Sequence, residues 1–221
     1  MNAALGHAGV LLALASAVVG AVVIAYGLAR GRSGAGRTGR VYAALLLLGA
    51  VLATGAMEHA LVTHDFSLVF VAENNSRSTP LLYTVTGMWS ALAGSILLWG
   101  LILAGYIAAM VWRFRRRADD PLVAWATLVT FVVAAFFFGL MAGPADPFTT
   151  VAGAVPANGT GPNVLLQDNP LVAFHPPLLY LGFVGFTIPF AFAVASLLSV
   201  IAVIALAAKK ILERRTGRIS L

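Results

Sequence analysis

A histidine followed by two prolines is the part of this sequence best suited to chemistry. His175, Pro176 and Pro177 stand directly before a long apolar stretch. This arrangement predicts the start of a helix, where proline is tolerated. A histidine fixed at such a position can ligate a metal ion through its imidazole. The alternative is a structural histidine that is hydrogen-bonded to its own loop, and the residues alone leave both interpretations open.

Other candidate residues precede this motif or lie near the middle of the chain. Asp168 and Gln167 could orient the histidine through hydrogen bonds; the Asn-Pro pair that follows them is also typical of a plain turn. Trp89 could contact a planar cofactor or belong to an aromatic belt at the membrane interface. Trp99, ten residues further on, favours packing between helices or contact with lipid.

The remaining titratable and nucleophilic residues form no recognisable catalytic motif. His59 is expected to reach towards the membrane interface, and His64 and His7 are expected to be solvated. There is no Walker A loop, Rossmann glycine pattern, His-Glu-x-x-His motif or Gly-x-Ser-x-Gly motif. The absence of cysteine excludes disulfides, iron–sulfur clusters and thiol catalysis. Chemistry carried by a cofactor and supported by protein side chains is therefore the most economical interpretation.

The composition indicates a polytopic membrane protein. Of the 221 residues, 60% are hydrophobic and 10% are charged, whereas soluble domains have about 25% charged residues. A soluble globule, a disordered chain and a nucleic-acid-binding domain all fit these values poorly. The expected surroundings are membrane lipid, with no nucleic acid.

Apolar runs long enough to cross a bilayer core of about 30 Å predict five spans in one membrane domain, residues 1–221. The predicted spans are about 8–29, 41–63, 87–112, 121–143 and 176–208. The last run is too long for one perpendicular span, so a kink at Pro189 or a start that lies along the membrane surface is expected. The fold class is therefore an all-α integral membrane protein.

The distribution of basic residues predicts the topology. Thirteen of the 14 Lys and Arg residues fall in the connection after the first span, in the connection after the third span or in the tail. The connections 64–86 and 144–175 contain only Arg77. The positive-inside rule then places the N-terminus outside, the C-terminus in the cytoplasm, and these two partly apolar segments on the outer face.

Three blocks of sequence, in the same order and spacing, resemble the CcmF/CcsA family of cytochrome c haem lyases, and in particular the N-terminal part of CcmF. The blocks are Asp65-Phe66-Ser67 with Val71-Ala72-Glu73-Asn74; Pro80-Leu81-Leu82-Tyr83 with Trp89 and Gly94-Ser95-Ile96-Leu97-Leu98-Trp99; and Leu165-Leu166-Gln167-Asp168 with His175-Pro176-Pro177-Leu178-Leu179-Tyr180-Leu181-Gly182-Phe183-Val184-Gly185-Phe186. The similarity extends from about residue 60 to residue 198.

This resemblance implies a protein of the cytoplasmic (inner) membrane whose functional face is periplasmic or extracytoplasmic. Such a lyase holds haem b, its substrate, at the outer face and attaches it to apocytochrome c. His175 would be an axial ligand of the haem iron, and Trp89, Pro176, Pro177, Tyr180 and Asp168 would belong to the same haem-binding site. The implied partners are a haem chaperone, apocytochrome c, other cytochrome c maturation subunits and a C-terminal lyase chain.

The sequence also departs from the family pattern. Leu92-Ala93-Gly94 stands where many relatives have His-Glu-Gly, and the family's tryptophan-rich haem-binding segment and second external histidine lie beyond the matched region. The resemblance therefore implies a subunit or fragment that is not a complete enzyme by itself. The alternative function is a non-catalytic membrane scaffold that docks a haem chaperone or a partner lyase subunit. A small permease is disfavoured, because the spans lack charges apart from Glu58 and show no matched halves.

Overall fold

The structure is a computed structural model that describes residues 1–31, 35–164 and 170–216, and this part of the chain is almost entirely helical. Its α-helices, in chain order, are α1 Asn2–Ala29, α2 Ala35–Val62, α3 Val69–Asn74, α4 Leu81–Thr86, α5 Leu92–Arg113, α6 Pro121–Met141, α7 His175–Gly185 and α8 Thr187–Thr216. Short 3₁₀ turns cover Gly87–Trp89, Arg115–Arg117 and Pro170–Ala173.

Five helical segments of the described chain are long and apolar enough to cross a membrane. Four are α1, α2 from Arg37 onward, α5 and α6, and the fifth is the continuous stretch from Pro170 to Glu213 that contains α7 and α8. In lipid, a helix satisfies its own backbone hydrogen bonds, so apolar runs of this length fold as helices. The prediction of an all-α membrane protein with five spans is confirmed.

The spans α1, α2, α5 and α6 form the core of the bundle. Small residues bring α1 and α2 together: a Cβ atom added to Gly9 would lie 2.7 Å from the carbonyl oxygen of Gly49. Such close contacts are typical of helix association in membranes. Phe131 and Phe138 of α6 are fully buried against the other helices of this core.

The two ends of the bundle differ in character. We call the end that contains Arg30, Arg37, Arg40, Arg113 and Arg115–Arg117 the basic end. There an ion pair of 2.7 Å between Arg37 and Asp119 joins the two connections. The opposite end, formed by residues 63–91, 142–164 and 170–174, is called the loop end. It contains every part of the two predicted outer segments that the structure describes.

The two connections at the loop end are joined into one cap. Val69 donates its backbone N–H to the Thr149 carbonyl at 2.9 Å, and Val151 donates to the Ser67 carbonyl at 2.9 Å. Gly159 fits where no side chain would, because a Cβ atom there would collide with the carbonyl oxygen of Asn75. The described part of the long 144–175 segment is therefore an ordered layer over the bundle.

The fifth span is interrupted at Phe186, between α7 and α8. Pro189 accounts for this position, because it has no N–H to donate to the carbonyl of Gly185, four residues earlier, and its ring crowds that carbonyl. Pro189 becomes the third residue of α8, where a missing N–H costs nothing. By Phe192 the span has reached the basic end, since the rings of Phe192 and Phe114 are 5.2 Å apart.

Candidate functional site

His175 is the first residue of α7, and Pro176 and Pro177 follow it in the first turn. Proline is favourable there because the first N–H groups of a helix have no partner within the helix. The side chain is exposed, and its imidazole makes no hydrogen bond to any described residue. The described residues therefore leave the ring open to a ligand.

The surface around His175 is apolar. Leu178 and Leu179 follow on the same side of α7, at 65% and 42% exposure, and Phe174 just before the histidine is 66% exposed. Residues three and four positions apart share one face of a helix. An exposed imidazole bordered by aliphatic and aromatic side chains suits a flat, largely apolar ligand that contains a metal ion.

Trp89 is hydrogen-bonded to the segment that leads into His175. Its indole Nε1–H donates to the carbonyl of Val172 at 2.8 Å, and its side chain is half-buried. Val172 lies in the 3₁₀ turn three residues before the histidine. The structure thus brings Trp89 and the His-Pro-Pro motif together across 83 residues of sequence.

Tyr180 points towards α5. Its hydroxyl donates to Ser95 Oγ at 3.2 Å, and Ser95 in turn donates to the carbonyl of Trp89 at 3.0 Å. The Tyr180 ring also packs edge-on against Trp99, with ring centroids 5.5 Å apart. At about 100° per residue, Tyr180 lies roughly 140° around α7 from His175. Tyr180 therefore lies on the side of α7 that packs on the bundle, and His175 does not.

A cavity of about 310 Å³ separates part of α7 from α5 and α6. It is lined by Leu92, Ser95, Ile96, Trp99, Phe137 and Tyr180. Beyond it, the Tyr106 hydroxyl donates to the carbonyl of Leu181 at 3.0 Å. Directed hydrogen bonds from α5 thus supplement sparse packing under α7.

Sequence reasoning missed the roles of Ser95 and Tyr106. The sequence shows Ser95 only as part of a family block, whereas in the structure its hydroxyl bonds Trp89 and Tyr180. Gly94 instead allows the turn before α5 to approach, because a Cβ atom there would collide with the Met88 carbonyl. The order of the family blocks was the sequence signal that linked the segment around Ser95 to the His-Pro-Pro motif. It does not indicate which hydrogen bonds join them.

The other three histidines make contacts that the sequence did not indicate. His7, expected to be solvated, lies 2.9 Å from Asp146 through Nε2. His64 was also expected to be solvated, yet its Nε2 is buried and has no hydrogen-bond partner among the described residues. His59 is exposed, and its Nδ1 lies 2.9 Å from the Asn2 amide oxygen. Among the four histidines, His175 has the ring that is both exposed and free of such contacts.

Asp65 completes a polar cluster at the start of α1. It accepts hydrogen bonds from the Asn2 amide at 2.8 Å and from the hydroxyl of Ser67. Burial by itself raises the pKa of Asp65, but these bonds, the Ser67 backbone N–H and the nearby amino terminus outweigh it and keep the pKa below its usual value. This cluster fixes the start of α1 against the cap. Asp168 and Gln167, by contrast, lie outside the described residues.

These features define a helical membrane protein with one exposed histidine that makes no hydrogen bond to the described residues, at an end with an apolar surface. The chain belongs to the family described as Cytochrome C assembly protein, which matches residues 89–216 and hence both α5 and the His-Pro-Pro motif.

Similar proteins within this family are cytochrome c-type biogenesis proteins. The chain is 36% identical to CcmF of Escherichia coli (strain K12) over 195 residues, or 88% of this chain and 30% of that protein. It is 42% identical to ccl1 of Rhodobacter capsulatus over 194 residues, or 87% of this chain and 29% of that protein. A solved structure titled Cytochrome c Heme Lyase CcmF superposes with a TM-score of 0.76 at 37% identity, covering 90% of this chain and 31% of that one. The chain thus spans about 30% of the length of these relatives.

Proposed function

We propose that the chain is the N-terminal subunit or fragment of a cytochrome c haem lyase, and that His175 presents an axial nitrogen to the haem iron. The observation that carries this proposal is the exposed, unbonded imidazole of His175 at the start of α7. Family membership supports the same function, because cytochrome c biogenesis requires haem to be held before its covalent attachment. Haem is the substrate here, and its vinyl groups become bonded to cysteines of apocytochrome c.

The residues around His175 fit a porphyrin. The exposed side chains of Phe174, Leu178 and Leu179 offer an apolar surface beside the imidazole, and burial of such a surface against a macrocycle is favourable. Pro176 and Pro177 stiffen the first turn that carries the histidine. Trp89 and Tyr180 contribute from beneath α7, and Asp168 is proposed to orient the loop before the histidine.

The proposed location is the cytoplasmic (inner) membrane, with the loop end outside. The basic end then faces the cytoplasm, as the positive-inside rule requires. Haem would arrive on a haem chaperone and leave on apocytochrome c at the periplasmic or extracytoplasmic face. The chemistry of attachment itself is assigned to the rest of the lyase.

A C-terminal lyase chain is the proposed partner. Every residue of α8 from Val200 to Glu213 is exposed, although most of this stretch is apolar. The relatives are about three times as long as the matched region. Their additional length would supply helices to cover this surface, and other cytochrome c maturation subunits would assemble around the complex.

The test is a haem measurement on the detergent-purified chain, co-expressed with a cytochrome c maturation pathway. Wild type is compared with His175→Ala and with His59→Ala, a matched variant of another exposed histidine at the same end. We expect a haem absorption spectrum in the wild type and in His59→Ala, and its loss in His175→Ala. Equal haem in all three proteins would refute the role of His175.

The alternative function, a scaffold that docks a haem chaperone or a partner subunit, predicts a different pattern. The exposed stretch Val200–Glu213 of α8 favours it as a surface for docking. A scaffold would co-purify with other maturation subunits but would bind no haem, whether or not His175 is present.

A further inference from the structure

The helix that carries His175 has very little packing to hold it. Of the eleven residues of α7, all of them described, only Val184 is buried. The 310 Å³ cavity lies between Tyr180 and the walls formed by Trp99 and Phe137. A helix with so few buried contacts owes little of its position to the bundle core.

Three aromatic side chains provide the missing constraint through directed hydrogen bonds. Trp89 donates to the carbonyl of Val172 at 2.8 Å, before the histidine. Tyr180 donates to Ser95 at 3.2 Å, and Tyr106 donates to the carbonyl of Leu181 at 3.0 Å, after the histidine. The segment around His175 is thus attached to α5 and the turn before it on both sides.

The bonds of Trp89, Ser95 and Tyr180 form one connected set centred on Trp89, and the Tyr106 bond is separate from it. Ser95 donates to the Trp89 carbonyl at 3.0 Å and accepts from Tyr180, while the Trp89 indole bonds Val172. Rotation of α7 about its axis would break the Tyr180 bond, and displacement of its start would break the Val172 bond. Because His175 lies about 140° from Tyr180, these bonds set the direction in which the imidazole points.

We propose that Trp89, Ser95 and Tyr106 are positioning residues for His175. Their role is to hold the imidazole at one angle to the bundle. The indole of Trp89 uses its one donor on Val172, which makes it a support for the histidine segment. This proposal rests on the proposed function for its consequence in haem binding, but its structural part can be measured without haem.

The first measurement is the mobility of a spin label beside the histidine. Since the chain has no cysteine, Leu178→Cys gives a unique attachment site, 65% exposed in the wild-type protein and one turn from His175. Ser95→Ala, Trp89→Phe and Tyr106→Phe are made in that background. We expect a more mobile label in each variant, with the thermal unfolding midpoint of the protein nearly unchanged.

Matched variants control for the loss of a hydroxyl or an indole elsewhere. Ser196→Ala removes a hydroxyl that bonds within α8, Trp112→Phe removes an exposed indole at the basic end, and Tyr42→Phe removes a hydroxyl of α2 at the basic end. These three changes are expected to leave label mobility as in the wild type.

The second measurement is haem affinity and the absorption spectrum of the histidine-ligated iron, in the cysteine-free variants. Loss of one such hydrogen bond is expected to weaken haem retention about fivefold and to alter the ligand-field spectrum without abolishing it. The His175→Ala variant, in contrast, should abolish the spectrum.

The outcomes separate the two proposals. If label mobility and haem affinity are both unchanged in Ser95→Ala, Trp89→Phe and Tyr106→Phe, the positioning role is refuted while the proposed function survives. If mobility rises as expected but no variant or wild-type protein binds haem, the positioning role stands and the haem-binding function fails.

Discussion

Replacement of Asn75 by alanine should destabilise the cap at the loop end. Asn75 has no exposed surface and joins three segments of the chain. Its side-chain amide donates to the Leu61 carbonyl at the end of α2 at 2.8 Å. Its amide oxygen accepts from the Ser76 backbone N–H at 2.9 Å and, more weakly, from the Thr84 hydroxyl at 3.4 Å.

The loss of stability in Asn75→Ala depends on which hydrogen bonds remain for the groups that Asn75 now bonds. The Leu61 carbonyl still accepts from the His64 backbone N–H at 3.2 Å, and the Ser76 N–H still has the Thr79 hydroxyl at 3.1 Å. A buried polar group left without any partner costs about 1–3 kcal/mol. Because both groups keep a second partner, we expect Asn75→Ala to cost about 1–2 kcal/mol.

Asn75→Asp provides a sharper test because its effect should depend on pH. The carboxylate would be buried and would face the Leu61 carbonyl oxygen, so burial should raise its pKa in the folded protein. A raised pKa means that the variant is most stable below the ordinary pKa of aspartate and loses stability as the pH rises through the folded value. Asn75→Asp should therefore be closer to wild type at pH 4 than at pH 8.

The assay is thermal unfolding of the detergent-purified protein, followed by circular dichroism at several pH values. Asn74→Ala is the control, because the Asn74 amide bonds only the Phe70 carbonyl within α3 and the residue is half-buried. An Asn75→Ala variant as stable as Asn74→Ala, or an Asn75→Asp variant insensitive to pH, would refute this account of the cap.

Two further changes test the cap and its contact with α1. Gly159→Ala should disrupt the attachment of the 144–175 segment to α3, because its new methyl group would collide with the carbonyls of Asn75 and Ala72; limited proteolysis of this segment should become faster, and an unchanged cleavage rate would argue against that contact. Asp65→Asn should be less stable than wild type at pH 6, and the difference should shrink as the pH falls towards 3, because the lowered pKa of Asp65 gives stability that is present above its unfolded value and lost on protonation. A difference in unfolding midpoint that stays constant over this pH range would contradict the role assigned to the carboxylate.

The architecture could be predicted from the sequence because it depends on one-dimensional signals. Long apolar runs specify the helices, and their lengths match the bilayer. The break in the fifth span also follows from local chemistry, since Pro189 acts on the carbonyl of Gly185 four residues earlier. It lies at Phe186 because the effect of a proline falls on the preceding turn.

The contacts that hold the site could not be predicted in the same way. The indole of Trp89 donates to a backbone carbonyl, and every residue has such an acceptor. The residue type at position 172 therefore does not predict the contact. The pairing of His7 with Asp146 joins positions 139 apart in sequence. Both residues belong to connections or helix ends whose approach depends on how the whole bundle packs.

The way in which α7 is held links the His-Pro-Pro motif to the segment of the chain from Trp89 to Tyr106. The core of α1, α2, α5 and α6 is packed with buried aromatic and aliphatic side chains. The helix after His175, in contrast, is fixed by Trp89, Ser95 and Tyr106, all supplied by α5 or the turn before it. A substitution in α5 can therefore alter the direction of His175 without touching it. The segment from Trp89 to Ser95 and the His-Pro-Pro motif therefore act as one functional unit.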